Sequence, residues 1–290
     1  DGSTDYLRTR SVSDLIPLPA VASFDVATVE RVPVLDVLKS MDWFAHERTT
    51  PTWLQANMGR WHNDRLLFSL VPEERLRRIC EWLFDEEEFL SPYGIRALSK
   101  VYEENPYSYS EGSDSEELRY SPADSPVAMF GGNSNWRGPV WMPINFLLIE
   151  SLQKFAHFYG DSFKVEFPTR SGHWINLWDA SLQLQSRLVG IFRRDALGRR
   201  AFNGDVNLFQ DDPHWRDLIL FNEYFHGENG CGVGASHQTV WSAVVAKMIN
   251  QLQEIAFDSP ESSLTETVGQ DEIWSCTTCR ACQEICPAVI

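Results

Sequence analysis

Apolar residues at helical spacing most limit what this chain can fold into. Four segments carry such stripes, each with a start or end signal that suits a helix. They follow Pro72 and Pro143, cover residues 177–194, and run from a Ser236 cap to Leu252. Residues 34–46 and 213–222 are weaker helix candidates, and strand signals are few. The pattern predicts an all-α fold in which long loops build the functional site.

Composition narrows the class of partner. The chain has 290 residues with 43% hydrophobic content, enough to bury a sizeable core. Its formal net charge of −16 argues against nucleic acid or an anionic membrane surface, since both require clustered cations. No apolar run approaches the roughly 20 residues of a membrane-crossing helix. We therefore expect neither nucleic acid nor membrane as a partner, and a cytoplasmic location.

Residues 131–145 concentrate two indoles, a guanidinium and several amides among glycines and prolines. Indole faces can cover the C–H faces of a sugar, while the polar groups bind its hydroxyls. This combination is typical of a saccharide pocket, and a tight turn before a buried helix is the alternative. The candidate binding residues are Asn133, Asn135, Trp136, Arg137, Trp141 and Asn145.

Residues 221–241 form a second concentration of polar chemistry. Two carboxylates, two histidines and four glycines stand in a loop that leads into a helix. A metal site is disfavoured because His226 and His237 lie eleven residues apart without a close third ligand. A Ser-His-Asp hydrolase is disfavoured because the chain has no Gly-x-Ser-x-Gly elbow.

Three stretches together resemble the catalytic domain of glycoside hydrolase family 63 and its mannosylglycerate hydrolase and glucosidase-like relatives. They are Asn-Trp-Arg-Gly-Pro-Val-Trp-x-Pro-x-Asn at 135–145, Asp-Pro-His-Trp-Arg-Asp at 212–217, and Glu-Tyr-Phe-His-Gly through Ala-Ser-His-Gln-Thr at 223–239. The likeness runs over about residues 1–255. The resemblance implies an (α/α)6 toroid that is incomplete at its N-terminal side. It also implies that two carboxyl groups hydrolyse an α-glycosidic bond with inversion, without a cofactor.

The resemblance also assigns roles. Glu223 matches the family's general base, which activates water opposite the leaving group. The family's general acid precedes the region that corresponds to Asp1, so we expect this chain to lack it and to be a poor catalyst. Trp215 and Trp241 are expected to pack near the site, with Trp241 in the core. The substrate contacts implied are Trp136, Arg137, Trp141, His237 and Gln238.

The composition changes near residue 257, which predicts a hydrolase domain over 1–256, an acidic linker over 257–270 and a cysteine segment over 271–290. Cys276-x-x-Cys279-x-x-Cys282-x-x-x-Cys286-Pro has the spacing of a ferredoxin-type [4Fe–4S] site. It resembles the iron–sulfur segment of heterodisulfide reductase-type oxidoreductases. Zinc bound by the four thiolates and a metal-free tail remain open. An iron–sulfur electron-transfer protein is therefore the alternative function.

Overall fold

The computed structural model describes residues 8–25, 27–28, 58–111, 114–125 and 136–258. The chain divides into two compact units. The first contains residues 1–90 and 147–182, and the second contains residues 91–146 and 183–290. Helices alternate with short antiparallel strands in the described part, so the fold is mixed and the strictly all-α expectation is wrong.

The sheet of the first unit has three antiparallel strands in the order β1–β3–β2. They are β1 (Val21–Asp25), β2 (Met58–His62) and β3 (Arg65–Ser69). Leu66 and Leu67 are both buried although neighbouring side chains of a strand point to opposite faces, so the middle strand is covered on both sides. A further antiparallel pair joins β8 (Lys164–Glu166) to β9 (Trp174–Asn176).

Helix α1 (Glu73–Leu83) forms where the apolar stripe predicts it. Leu76, Cys80 and Leu83 are buried on one face of this helix. Burial raises the pKa of the Cys80 thiol to about 12, so this side chain stays protonated and packs as a small apolar group. The predicted helix is confirmed.

Two long helices follow. Helix α2 (Met142–Tyr159) begins beside Pro143 as predicted, and its apolar residues Ile149 and Leu152 are buried. Helix α3 (Leu177–Gly190) begins at the predicted residue and ends four residues early. Short 3-10 turns complete the connections at Val12–Leu15, Lys100–Tyr102, Gly160–Ser162 and Ala201–Asn203.

The second unit contains the remaining elements. They are β4 (Leu90–Ser91, of which Ser91 belongs to this unit), β5 (Gly94–Ile95), β6 (Tyr107–Glu111), β7 (Asp114–Leu118), β10 (Tyr224–Phe225), β11 (Gly232–Val233), α4 (Asn207–Asp211), α5 (Thr239–Ser242) and α6 (Val245–Asp258). Part of its core is a cluster of four buried side chains, Leu98, Tyr102, Leu118 and Tyr120. This cluster lies beneath the hairpin of β6 and β7, whose strands the sequence did not predict.

Several local expectations need correction or fall outside the described residues. Residues 213–222 form turns and extended chain rather than a helix. The helix expected after Ser236 is divided, because α5 starts after Gln238 and turn residues separate it from α6. Residues 34–46 and the predicted linker and cysteine segment from residue 259 onward lie outside the described residues. No helix in the described part of the chain is long and apolar enough to span a membrane.

Candidate active site

A short hairpin of the second unit leads from Glu223 to two further predicted site residues, His237 and Gln238. Its strands β10 and β11 pair Tyr224 with Val233 and Phe225 with Gly232. The pairing extends outward, since the amide of Glu223 donates to the Ala235 carbonyl at 2.9 Å. The hairpin therefore places Glu223 on a backbone that is hydrogen-bonded across both strands.

The stretch around Arg137 lies directly against this hairpin. Val140 and Phe225 exchange two backbone hydrogen bonds, of 2.8 and 3.0 Å. Gly227 comes so near the other strand that a Cβ there would lie 2.7 Å from the Gly138 carbonyl oxygen. The two polar stretches, 131–145 and 221–241, are thus neighbours in their described parts.

Trp141 is the centre of an aromatic cluster at this contact. Its indole stacks on Trp136 with centroids 4.2 Å apart and an interplanar angle of 5°. It also stacks on the Tyr224 ring at 4.7 Å and meets Trp241 at 5.3 Å with a tilt of 56°. Such ring pairs stabilise the cluster beyond the area that they bury.

The tryptophans of this cluster differ in how much of each side chain is exposed to solvent. Trp141 is only 4% exposed, whereas Trp136 is 39% and Trp241 is 37% exposed. Trp141 therefore lies inside the aromatic cluster, while Trp136 and Trp241 keep exposed indole surface. The expectation that Trp241 belongs to the core is wrong, and Trp215 is likewise 41% exposed.

Glu223 is half-buried, and its carboxylate has few contacts. Oε2 accepts one hydrogen bond, from the amide of Ala235 at 3.3 Å. Gly234 has φ +70°, and a Cβ at this glycine would lie 2.8 Å from Glu223 Oε2 and 2.7 Å from Tyr224 Cε1. The glycine therefore allows the backbone to pass close to the carboxylate.

Glu228, at the tip of the hairpin, lies in a different environment. Arg96 donates to its carboxylate from Nε at 2.8 Å and Nη2 at 3.2 Å, Lys100 donates at 2.9 Å, and the Tyr120 hydroxyl donates at 2.5 Å. Burial raises the pKa of Glu228, but hydrogen bonds from Arg96, Tyr120 and Lys100 outweigh it and hold the pKa at about 2. Glu228 is consequently ionised at neutral pH.

Arg137 and Asn145 are both buried. Burial lowers the pKa of the Arg137 guanidinium. The Asn145 amide accepts from the amide of Ile95 at 2.7 Å and donates to the Ile95 carbonyl at 3.0 Å and the Trp141 carbonyl at 2.9 Å. These bonds join the first turn of α2 to β5, so the observed contacts of Asn145 are structural and weigh against its predicted saccharide contact.

His237 and Gln238 stand where the hairpin enters α5. His237 is exposed and pairs through its backbone with Phe221, while Gln238 is half-buried at the start of the helix. Ser242 of this helix is buried, and its hydroxyl donates to the Asn222 carbonyl at 2.7 Å. The helix is thereby attached to the residue next to Glu223.

His226 is a hydrogen-bond acceptor within the hairpin. Its Nδ1 accepts from the amides of Glu228 at 3.1 Å and Asn229 at 3.3 Å, so this nitrogen carries no proton. Burial lowers the pKa of His226. Within the described ranges, no group of three or more His, Cys, Asp or Glu residues is arranged to hold a metal ion.

Six predicted ligand residues cannot be placed. Asn135 and the four cysteines Cys276, Cys279, Cys282 and Cys286 lie outside the described residues, as does Asn133. The predicted iron–sulfur or zinc site therefore has no structural description.

Two carboxylate contacts were not found from the sequence. The Tyr224 hydroxyl donates to the Asp124 carboxylate, which lies 100 residues earlier in an acidic loop. Glu228 and its partners Arg96, Lys100 and Tyr120 were missed in the same way. The adjacency of Tyr224 to Glu223 was the one local signal that pointed to the first contact.

Comparison with known proteins relates part of this chain to glycoside hydrolases. Residues 65–167 match the family model described as the glycosyl hydrolase family 63 C-terminal domain. An uncharacterized protein of Saccharomyces cerevisiae (strain ATCC 204508 / S288c) is 42% identical over 252 residues, which is 85% of this chain and 23% of that protein. A probable mannosyl-oligosaccharide glucosidase of Schizosaccharomyces pombe (strain 972 / ATCC 24843) is 22% identical over 188 residues, which is 64% of this chain and 17% of that protein.

The extent of these matches matters for what they show. The chain spans less than a quarter of the length of either relative. The family match includes Trp136, Arg137 and Trp141 but ends before the hairpin that carries Glu223. Neither the family match nor these two relatives support the resemblance of the cysteine segment to iron–sulfur proteins. The comparisons thus show a likeness of residues 65–167 to the C-terminal domain of glycosyl hydrolase family 63.

Proposed function

We propose that this protein is an inverting glycoside hydrolase that acts on α-linked glucosides or related saccharides, with Glu223 as general base. The observation that carries the proposal is the placement of this half-buried carboxylate beside an aromatic cluster with two exposed indoles. The family likeness of residues 65–167 supports the reaction class. An (α/α)6 toroid, expected from the same family, is part of the proposal.

Glu223 has the properties that a general base needs. Its carboxylate accepts one backbone hydrogen bond and has no ion pair with a described residue, so its remaining lone pairs can accept a proton. In the reaction, Glu223 takes a proton from water as the water oxygen bonds to the anomeric carbon. The glycosidic oxygen leaves with a proton from a general acid about 6.5–9.5 Å away. Among the described residues, that acid is not assigned.

Substrate recognition is assigned to the exposed aromatic and polar side chains around Glu223. Trp136 and Trp241 offer indole surface to the apolar faces of a sugar. His237 is exposed and Gln238 is half-buried at the entry to α5, where both lie near the Glu223 strand through the pairing with Phe221. We assign these two side chains to the sugar hydroxyls.

Hydrolysis of α-D-glucosyl fluoride by the 290-residue chain tests the proposal. Fluoride is a good leaving group and departs without protonation, so this substrate tests the base independently of the general acid. We expect fluoride release, with β-glucose as the first product in a proton NMR time course. Retention of the α-configuration at the anomeric carbon, or no release above that of buffer, contradicts the proposal.

The matched controls are Glu223→Gln and Glu228→Gln. Loss of a positioned general base lowers the rate by about 10²–10⁴-fold. Glu223→Gln should therefore abolish most of the turnover. Folded Glu228→Gln should keep turnover within about threefold of the wild type, which corresponds to a change of about 0.6 kcal/mol in the activation free energy. Equal loss in both variants would show that Glu223 has no special role.

A further inference from the structure

Three aromatic rings form a column that runs from the Glu223 strand to the surface. Trp136, Trp141 and Tyr224 stack in this order, with centroid distances of 4.2 and 4.7 Å. Their exposed fractions are 39%, 4% and 1%. Because Trp141 covers one face of Trp136, the accessible surface of Trp136 lies on its other face and its edges. We call these three side chains the ring column.

Asp124 holds the buried end of the ring column. The Tyr224 hydroxyl donates to the Asp124 carboxylate, and a buried phenol without such an acceptor is costly. Burial, together with the bond to Asp124 and the negative charges of Asp124 and Glu223, raises the pKa of Tyr224, so its hydroxyl remains a donor.

The same end of the column adjoins the proposed base. The Tyr224 ring and the Glu223 carboxylate both lie within 2.8 Å of the position that a Cβ on Gly234 would occupy. Glu223 and Tyr224 are also consecutive residues on a strand that is paired on both sides. A movement of the Tyr224 ring therefore moves Trp141 and Trp136 relative to Glu223.

We propose that Asp124 is a positioning residue, which fixes the exposed face of Trp136 relative to the Glu223 carboxylate by holding the Tyr224 hydroxyl. This inference rests on the proposed function, since a sugar on Trp136 must present its anomeric carbon to water at Glu223. A displacement of about 1 Å at such a site can cost up to about 100-fold in rate. Asp124 thereby influences the reaction without touching the reacting atoms.

A purely structural role for Asp124 makes a different prediction. The carbonyl oxygen of Asp124 accepts from the Ser121 hydroxyl at 3.0 Å, so this residue also belongs to its own turn. If Asp124 stabilised only that turn, its removal would lower the melting temperature and leave the geometry of the ring column unchanged. The two roles are separated by a spectroscopic signal from the column.

The parallel indoles of Trp136 and Trp141 provide that signal. Two indoles at 4.2 Å couple their electronic transitions and produce a couplet in the far-ultraviolet circular dichroism spectrum. The variants are Asp124→Ala, Asp124→Asn and Tyr224→Phe, with Ser121→Ala as a control that loosens the turn without removing the carboxylate. Glu223→Gln serves as the control for chemistry.

We expect Asp124→Ala and Tyr224→Phe to lose at least half of the couplet and to raise KM for α-D-glucosyl fluoride roughly tenfold, the effect of losing a hydrogen bond to a charged group. Asp124→Asn keeps an acceptor for the phenol and should restore most of both signals. Ser121→Ala should change only the melting temperature. Glu223→Gln should lose turnover and keep the couplet.

The outcomes separate this inference from the proposed function. If the wild type neither hydrolyses the fluoride nor shows indole quenching by glucose, the proposed function fails, while the couplet still reports whether Asp124 holds the ring column. If Asp124→Ala and Tyr224→Phe fold with an unchanged couplet and unchanged KM, the positioning role is overturned. An Asp124→Asn variant that behaves like Asp124→Ala overturns the hydrogen-bond explanation.

Discussion

Glu223 and Glu228 are five residues apart in one hairpin, and both are half-buried, yet their surroundings differ. Three side chains, from Arg96, Lys100 and Tyr120, donate to Glu228. A single backbone amide donates to the carboxylate of Glu223. Glu228 is an anchor between the hairpin and the segment after β5 that contains Arg96, whereas the Glu223 carboxylate has no ion pair with a described residue.

The difference bears on the proposal that Glu223, rather than Glu228, is the general base. A general base works best when its pKa is near the working pH, and the pKa of Glu228 is held at about 2. Its cationic partners therefore make Glu228 a poor base. The sequence Glu-Tyr-Phe-His-Gly-Glu presents both residues alike, so their roles follow from contacts with residues more than 100 positions away.

The largest effect is expected for activity in Glu223→Gln. Turnover of α-D-glucosyl fluoride should fall by about 10³-fold, because the proton acceptor for water is lost. The free energy of unfolding, measured in urea, should change by less than about 0.5 kcal/mol, since the carboxylate makes only a weak bond of 3.3 Å. A large loss of stability in this variant would mean that Glu223, like Glu228, is an anchor.

The second largest effect is expected for stability rather than activity, in Glu228→Gln. Arg96 has a side chain only 3% exposed and would keep its charge without the carboxylate that pairs with it. We expect the free energy of unfolding to fall by about 2–3 kcal/mol, as measured by urea denaturation. The control is Glu117→Gln, whose side chain is 55% exposed and pairs with Arg119 at the surface. A change there above about 1 kcal/mol would show that the comparison does not isolate the anchor.

The anchor also predicts a dependence of stability on acid. The pKa of Glu228 is lower in the folded chain, at about 2, than its ordinary value of 4.5. The contribution of Glu228 to the free energy of unfolding is therefore fully present above about pH 5 and is lost as the pH falls toward 2. We expect a loss of about 2 kcal/mol over this interval in the wild type relative to Glu228→Gln, allowing for the solvent that reaches this carboxylate. Parallel pH profiles of the two proteins would contradict the assignment.

The sequence predicted those features that depend on local pattern. The stripe from Leu76 to Leu83 specifies α1 because its residues recur at the helical period, and Pro143 fixes the start of α2. The two-residue strands β10 and β11 are too short to show a period, so the hairpin under Glu223 was not predicted. The division between α5 and α6 was missed as well, because the apolar stripe continues across the break.

The sequence predicted which residues lie at the site better than it predicted what each residue does there. Trp136 and Trp141 are adjacent as expected, but only the contact of Trp141 with two other rings shows that it is buried support. Asp124 could not be found, because the sequence around this exposed carboxylate carries no sign that a phenol 100 residues away donates to it. Long-range contacts of this kind leave no local signal in one sequence.

The smallest effect is expected for Gly234→Ala, which tests how closely the backbone must approach Glu223. Gly234 has φ +70°, where an alanine is strained by about 1 kcal/mol, and the new Cβ would lie 2.8 Å from Glu223 Oε2. Gly198→Ala is the matched control, since Gly198 has φ +77° and no atom within 4 Å of its added Cβ. Gly198→Ala should lose about 1 kcal/mol in urea denaturation, and Gly234→Ala should lose more, because its methyl group would also lie 2.7 Å from the buried Tyr224 ring. Only Gly234→Ala should lose activity, by about tenfold, because its methyl group displaces the Glu223 carboxylate. Equal activity in the two variants would mean that activity does not depend on the exact position of the Glu223 carboxylate. Such a result would contradict the role of Glu223 as a precisely placed base.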